Sequence, residues 1–115
     1  MRATIWHNPR CSKSRAALAL LEEAGAEVTV FDYLGAPLTA DALARFYARA
    51  GMSPRDGLRR GEPAAADLAN ASDADILDAM VLNPALIERP LVETERGALL
   101  ARPPGRVRDL LLPTP

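Results

Sequence analysis

An α/β fold on a mixed four-stranded sheet is what this sequence predicts, from three observations. The chain opens with a strand–helix–strand pattern. It closes with two short apolar segments, a hairpin-sized gap between them, and a final helical pattern. Between those ends the apolar residues keep helical rather than alternating spacing. A helical crossover makes the first strand pair parallel and its connection right-handed, whereas a short turn makes the last pair antiparallel. The 115 residues suit one domain with one modest core. We therefore expect a single domain over 1–115 with a helical insertion at about 39–84.

Each element has its own reason. Residues 3–7 form a short apolar strand. From 12 to 24, Ala17, Leu20, Leu21 and Ala24 follow the helical period, and Gly25 suits the stop. Val28-Thr29-Val30-Phe31 is a β-branched strand. A loop from Asp32 to Leu38 follows. Thr39 is a good N-cap for a helix whose Leu43, Phe46, Tyr47 and Ala50 share one face up to Gly51. Ser53-Pro54 starts a short helix expected to reach about Arg60, and Gly61-Glu62-Pro63 breaks it. Residues 64–70 are alanine-rich and weakly helical. Ser72 to Asp75 resembles a capping box for a helix carrying Ile76, Leu77, Met80 and Val81, stopped by Asn83-Pro84. Residues 85–88 form a short bridge. Leu91-Val92-Glu93 and Ala98-Leu99-Leu100 are strands joined through 94–97. Pro103-Pro104 opens a last helix with Val107, Leu110, Leu111 and Leu112, ended by Pro113-Thr114-Pro115. The order βαβ, helical block, ββα is that of the thioredoxin fold. Trp6, Phe46 and Tyr47 are most simply core, and Glu22-Glu23 a solvated helix face.

Composition removes several classes of function. Apolar residues make up 49% and charged residues 25%, as in a soluble globular protein. No apolar run is long enough to span a bilayer, so no membrane partner is expected. Residues 1–6 read as a strand rather than as a signal peptide. A net charge of −1 gives no basic field for nucleic acid. One cysteine cannot form an internal disulfide, so a cytoplasmic location is the default. One cysteine and one histidine are too few for a typical zinc site, and no metal is expected. Lys13 is the only lysine among 14 basic residues. Arginine suits oxyanions, but in a chain rich in Ala, Arg and Pro the count alone is no evidence of a site.

The chemistry centres on Cys11, within His7-Asn8-Pro9-Arg10-Cys11-Ser12-Lys13-Ser14-Arg15. The segment places the sulfur between a strand and the start of a helix. Unpaired N–H groups and the positive end of the dipole there favour thiolate. Arg10, Lys13 and Arg15 add cationic groups nearby in sequence. A lone cysteine is otherwise a small buried hydrophobe; this basic, loop-to-helix context favours a reactive sulfur. At the Cys-x-x-Cys spacing of thioredoxins the chain reads Cys11-Ser12-Lys13-Ser14, so the second sulfur is missing. Any redox cycle then needs an outside thiol such as glutathione.

Other candidates have two readings each. Arg89-Pro90 is either a cis pair whose arginine faces the first-helix sulfur or an ordinary trans proline opening a strand. Arg59, Arg60 and Arg102 are loop arginines that could converge on a tetrahedral oxyanion, although each taken singly reads as solvated. The Cys-x5-Arg spacing of phosphatase-type loops is absent, since Arg15 lies at Cys-x3-Arg. His7 either tunes Cys11 or packs at the strand end.

Four stretches resemble the glutaredoxin-coupled arsenate reductase family. They are His7 to Arg15, Gly51-Met52-Ser53-Pro54-Arg55-Asp56-Gly57-Leu58-Arg59-Arg60, Asn83-Pro84-Ala85-Leu86-Ile87-Glu88-Arg89-Pro90, and Arg102-Pro103-Pro104. The resemblance spans nearly the whole chain. It implies that Cys11 attacks arsenate, that His7 tunes it, and that Arg59, Arg89 and Arg102 bind the oxyanion. It also implies glutathione as co-substrate, glutaredoxin as the partner supplying reducing equivalents, and no bound cofactor. The related Spx-type regulators share the fold and bind RNA polymerase, but Ser14 removes the Cys-x-x-Cys switch many of them carry. Another glutathione-linked thiol oxidoreductase is the third reading.

Overall fold

The computed structural model describes residues 1–35 and 37–111. The chain divides into two compact units. One comprises Met1–Gly35 with the segment from Arg89 onward, and the other is Ala36–Glu88.

The first unit holds the sheet. Strand β1 (Arg2–Trp6) leads through helix α1 (Ser12–Glu23) to β2 (Glu27–Phe31), and β3 (Leu91–Thr94) pairs with β4 (Gly97–Leu100). The order is β2-β1-β3-β4. β1 runs parallel to β2 and antiparallel to β3, and β3 is antiparallel to β4, as the mixed thioredoxin-like sheet requires. Alternation along β1 sends Ala3 and Ile5 into a core completed by Ala17 and Leu21 of α1, Val92, Leu99, Val107 and Leu110. Ile5 and Leu21 are fully buried, each contributing roughly 1.5–3 kcal/mol relative to exposure. Trp6 is buried and meets Phe31 edge-on at 5.0 Å. Gly25 ends α1 with φ +79°, a conformation that favours glycine.

Several boundaries in this unit differ from expectation: β1 and β2 each begin one residue earlier, and β3 and β4 extend to Thr94 and Gly97, which leaves only two residues between them. β1 stops at Trp6 rather than His7, although the His7 N–H still donates to the Phe31 carbonyl at 3.0 Å. The last helix is a 3₁₀ helix, Pro104–Leu110. Its buried side chains, Val107 and Leu110, are three apart, which matches three residues per turn. Leu112 and Pro113-Thr114-Pro115 lie outside the described residues.

The second unit is helical. Helix α2 (Ala40–Ala50) is capped by the Thr39 hydroxyl, which accepts from Ala42 N–H, and stops at a left-handed Gly51. The helix begun at Ser53 is a 3₁₀ turn, Pro54–Gly57, closed by a full Ser53/Asp56 capping box. It ends short of the expected Arg60 because Leu58 becomes extended and bridges to Ile87. The alanine-rich stretch forms a second 3₁₀ turn, Pro63–Leu68, where Arg55 donates to the Leu68 and Ala71 carbonyls at 3.2 and 2.7 Å. Helix α3 (Asp73–Leu82) is capped by the Ser72 hydroxyl, and a 3₁₀ turn at Pro84–Leu86 follows. Phe46 and Tyr47 are buried, with the Tyr47 hydroxyl donating to the Met80 sulfur at 3.8 Å. Among the described residues, no helix is long and apolar enough to cross a membrane.

Candidate active site

Asn8-Pro9-Arg10-Cys11 forms a tight turn between β1 and α1. Proline presets the turn, and the Cys11 N–H donates to the Asn8 carbonyl at 3.0 Å. The Asn8 side chain accepts from Arg10 N–H at 3.0 Å. Arg15, one turn into the helix, reaches back and donates to the Pro9 carbonyl at 2.7 Å. The Cys-x3-Arg spacing therefore serves to brace the turn.

Cys11 is the N-cap residue of α1, with extended backbone angles. Its sulfur is half-buried and makes no formal cap bond. Burial pushes the thiol up. The backbone N–H groups of Ser14 and Lys13, then the Arg89 guanidinium, pull it down, and the net result is a lowered pKa. The direction matches the expectation from a helix N-terminus, with Arg89 as an additional cation. The exposed side-chain charges of Arg10, Lys13 and Arg15 do not figure among the causes of that shift; Lys13 acts through its backbone N–H. Proximity in sequence was a poor guide to which cation matters.

Arg89 lies two residues before β3, separated from it by Pro90, and is only 9% exposed. Its peptide to Pro90 is cis, which settles the alternative left open by the sequence; Arg102-Pro103 is cis as well. The Arg89 Nε–H is buried and has no hydrogen-bond partner. Arg102 stands just after β4, and its Nη1 donates to the Arg89 carbonyl at 3.1 Å.

His7 is buried, and its Nδ1 lies 2.6 Å from the Ser14 hydroxyl oxygen. That oxygen also accepts from Asn8 N–H at 3.1 Å. Burial lowers the His7 pKa, the positive charge of Arg15 lowers it further, and Asp32 partly opposes them. The ring is neutral at pH 7. His7 therefore reaches the cysteine through Ser14, whose own N–H faces the sulfur. Ser14 is fully buried and joins the end of the strand to the first turn of the helix. The sequence marked it only as the place of a missing sulfur; the signal available was its helical spacing from Ala17 and Leu21, with which it shares the buried face of α1.

Cys11, His7, Arg89 and Arg102 are all in the first unit. Arg59 belongs to the second, where its N–H donates to the Leu86 carbonyl at 2.7 Å. Among the described residues, no group of three or more His, Cys, Asp or Glu side chains is arranged to hold a metal ion.

The chain resembles known proteins in sequence and in fold. The chain is 40% identical over 115 residues to an arsenate reductase of Rhizobium meliloti, covering 96% of this chain and 82% of that one. It is 40% identical to the Escherichia coli protein YfgD, whose name states no activity, covering 93% and 94%. A solved arsenate reductase structure from Vibrio cholerae superposes with a TM-score of 0.90 at 38% identity, covering 96% and 98%. The ArsC family model matches residues 6–110, from the last residue of β1 to the end of the final 3₁₀ helix, and the chain belongs to the ArsC family.

Proposed function

We propose that this protein reduces arsenate to arsenite through Cys11, with glutathione and glutaredoxin as the external reductants. The observation that carries the reading is the pairing of a thiol biased towards thiolate with a buried Arg89 whose Nε–H lacks a partner. A buried charged donor left unpaired costs about 1–3 kcal/mol or more. An oxyanion held beside the sulfur would relieve that cost and present arsenic to the nucleophile.

The chemistry balances with thiols alone. The Cys11 thiolate forms a sulfur–arsenic bond, and one arsenate oxygen leaves as water after protonation. Glutathione forms a second sulfur–arsenic bond with loss of another water. A glutaredoxin thiol then takes the glutathione sulfur as a mixed disulfide, and arsenic receives the two electrons, passing from As(V) to As(III). Hydrolysis of the remaining bond frees arsenite and regenerates Cys11. Because the chain has one cysteine, both reducing sulfurs come from outside.

In this reading Arg89, Arg102 and Arg59 hold the oxyanion. Guanidinium groups supply paired N–H donors to tetrahedral oxygens and offset the charge of the attacking thiolate. His7 holds Ser14, and through it the N-terminal turn of α1. We place the protein in the cytoplasm, a reducing compartment that supplies glutathione, with no bound cofactor. The test is arsenate-dependent NADPH oxidation with glutathione, glutathione reductase and glutaredoxin supplied. Wild-type protein should turn over and Cys11→Ser should not. Turnover that survives Cys11→Ser, or its absence in the wild type, would end the proposal.

A further inference from the structure

We propose that Arg102 is a positioning residue that holds Arg89 against Cys11 through its Nη1 hydrogen bond to the Arg89 carbonyl, in addition to any contact it makes with the oxyanion. The inference deepens the reading of the site given above and rests on it for the identity of the anion, but not for the geometry.

The hairpin register brings the two arginines face to face. Leu91 pairs with Leu100 and Thr94 with Gly97, so paired residue numbers sum to a constant. The same register continues beyond the strands: the Ala101 N–H donates to the Pro90 carbonyl at 2.9 Å. One step further it sets Arg102 opposite Arg89, where the 3.1 Å side-chain bond is found. Ala101 is fully buried, so the backbone that carries Arg102 is fixed. Arg89 needs such support. It is nine-tenths buried, its Nε–H has no partner, and its guanidinium lies beside a sulfur it must not leave. A carbonyl tied down at the residue's own peptide limits where its side chain can reach. Arginine can combine a bond to a carbonyl with anion binding, because its guanidinium carries five N–H donors in a fixed fork.

Arg89 is the guanidinium that bonds the Cys11 sulfur. A positioning Arg102 changes thiol reactivity only while Arg89 is present to be positioned. A purely anion-binding Arg102 would raise the arsenate KM and leave the free thiol unchanged. The experiment is the pH dependence of Cys11 alkylation without arsenate, in wild type, Arg89→Met, Arg102→Met, Arg102→Lys and the double Met variant. Loss of a close cation typically lowers the thiolate fraction below the midpoint about tenfold, which is the expectation for Arg89→Met. Arg102→Met should lower it about three- to tenfold, and the double variant should match Arg89→Met alone. Arg102→Lys should stay near wild type, because one N–H suffices for a carbonyl. Should Arg102→Met fail to fold, Arg102→Gln, too short to span the gap, should show the same fall.

An unmoved alkylation profile in Arg102→Met or Arg102→Gln, or additive losses in the double variant, would overturn the positioning role. Neither result depends on arsenate turnover. Failure of arsenate reduction with the predicted thiol profiles would instead remove the substrate and leave the positioning role standing.

Discussion

Replacing Ser14 with alanine separates two effects of one residue. The Ser14 hydroxyl oxygen accepts from Asn8 N–H at 3.1 Å and lies 2.6 Å from His7 Nδ1, in a fully buried position. Alanine leaves both partners without it. Each buried polar group stranded in this way costs about 1–3 kcal/mol. Alanine's better helix propensity returns roughly 0.5 kcal/mol, so the net loss should be about 1.5–5.5 kcal/mol. At roughly 4 °C per kcal/mol for a chain of this size, the Tm should fall by about 6–22 °C. The Ser14 N–H, which faces Cys11, survives in alanine. Cys11 alkylation at pH 7 should accordingly change by no more than about twofold. Urea unfolding followed by circular dichroism, run beside the alkylation series, reads both quantities. A stability loss below about 0.5 kcal/mol would refute the claim that the hydroxyl ties strand to helix. A large drop in alkylation by correctly folded protein would show that the hydroxyl acts on the sulfur itself.

The His7 pKa lies below its ordinary value in the folded protein. The unfolded chain therefore takes up the proton first, and stability should fall as pH drops below about 6.5 and level off below the folded value. His7→Gln should flatten that part of a pH–stability profile measured by urea unfolding. Gly57→Ala should destabilise, because the added Cβ would overlap the buried Tyr47 ring, 2.6 Å from Cε1. Overpacking of this kind costs about 1–3 kcal/mol, readable as a lower urea midpoint. Thr39→Ala should lower stability by about 1 kcal/mol through loss of the α2 cap, whereas an unchanged midpoint would show that the cap contributes nothing.

Structure is most legible in this sequence where local rules coincide. Thr39 and Gly51 bound α2 because a hydroxyl cap and a left-handed glycine are locally specified features. The strand–turn–helix around Cys11 was legible for the same reason. The hairpin itself was legible, but its register was not: the strands were expected to join through 94–97, and the observed two-residue gap sets the register in which Arg102 meets Arg89. Periodicity was weaker at telling 3₁₀ from α: Val107 and Leu110 fit both spacings, and Leu58 leaves the helical path only because Ile87 offers it a bridge. Which cation acts on Cys11 was legible in part: a cis Arg89-Pro90 pair facing the sulfur was one of two readings of that segment, and it is the one found. Arg10, Lys13 and Arg15 are its neighbours in sequence, yet the fold brings Arg89 to the sulfur and turns Arg15 onto the Pro9 carbonyl. The use of Ser14 as a buried link also required three dimensions, since a serine in the first turn of a helix usually faces solvent.

The alkylation rate of Cys11 across pH, with and without arsenate, tests the account most directly. An ionised sulfur beside Arg89 predicts a midpoint below the roughly 8.5 of an ordinary thiol, and protection by arsenate that disappears in Arg89→Met. A midpoint at or above that value, indifferent to arsenate, would contradict it.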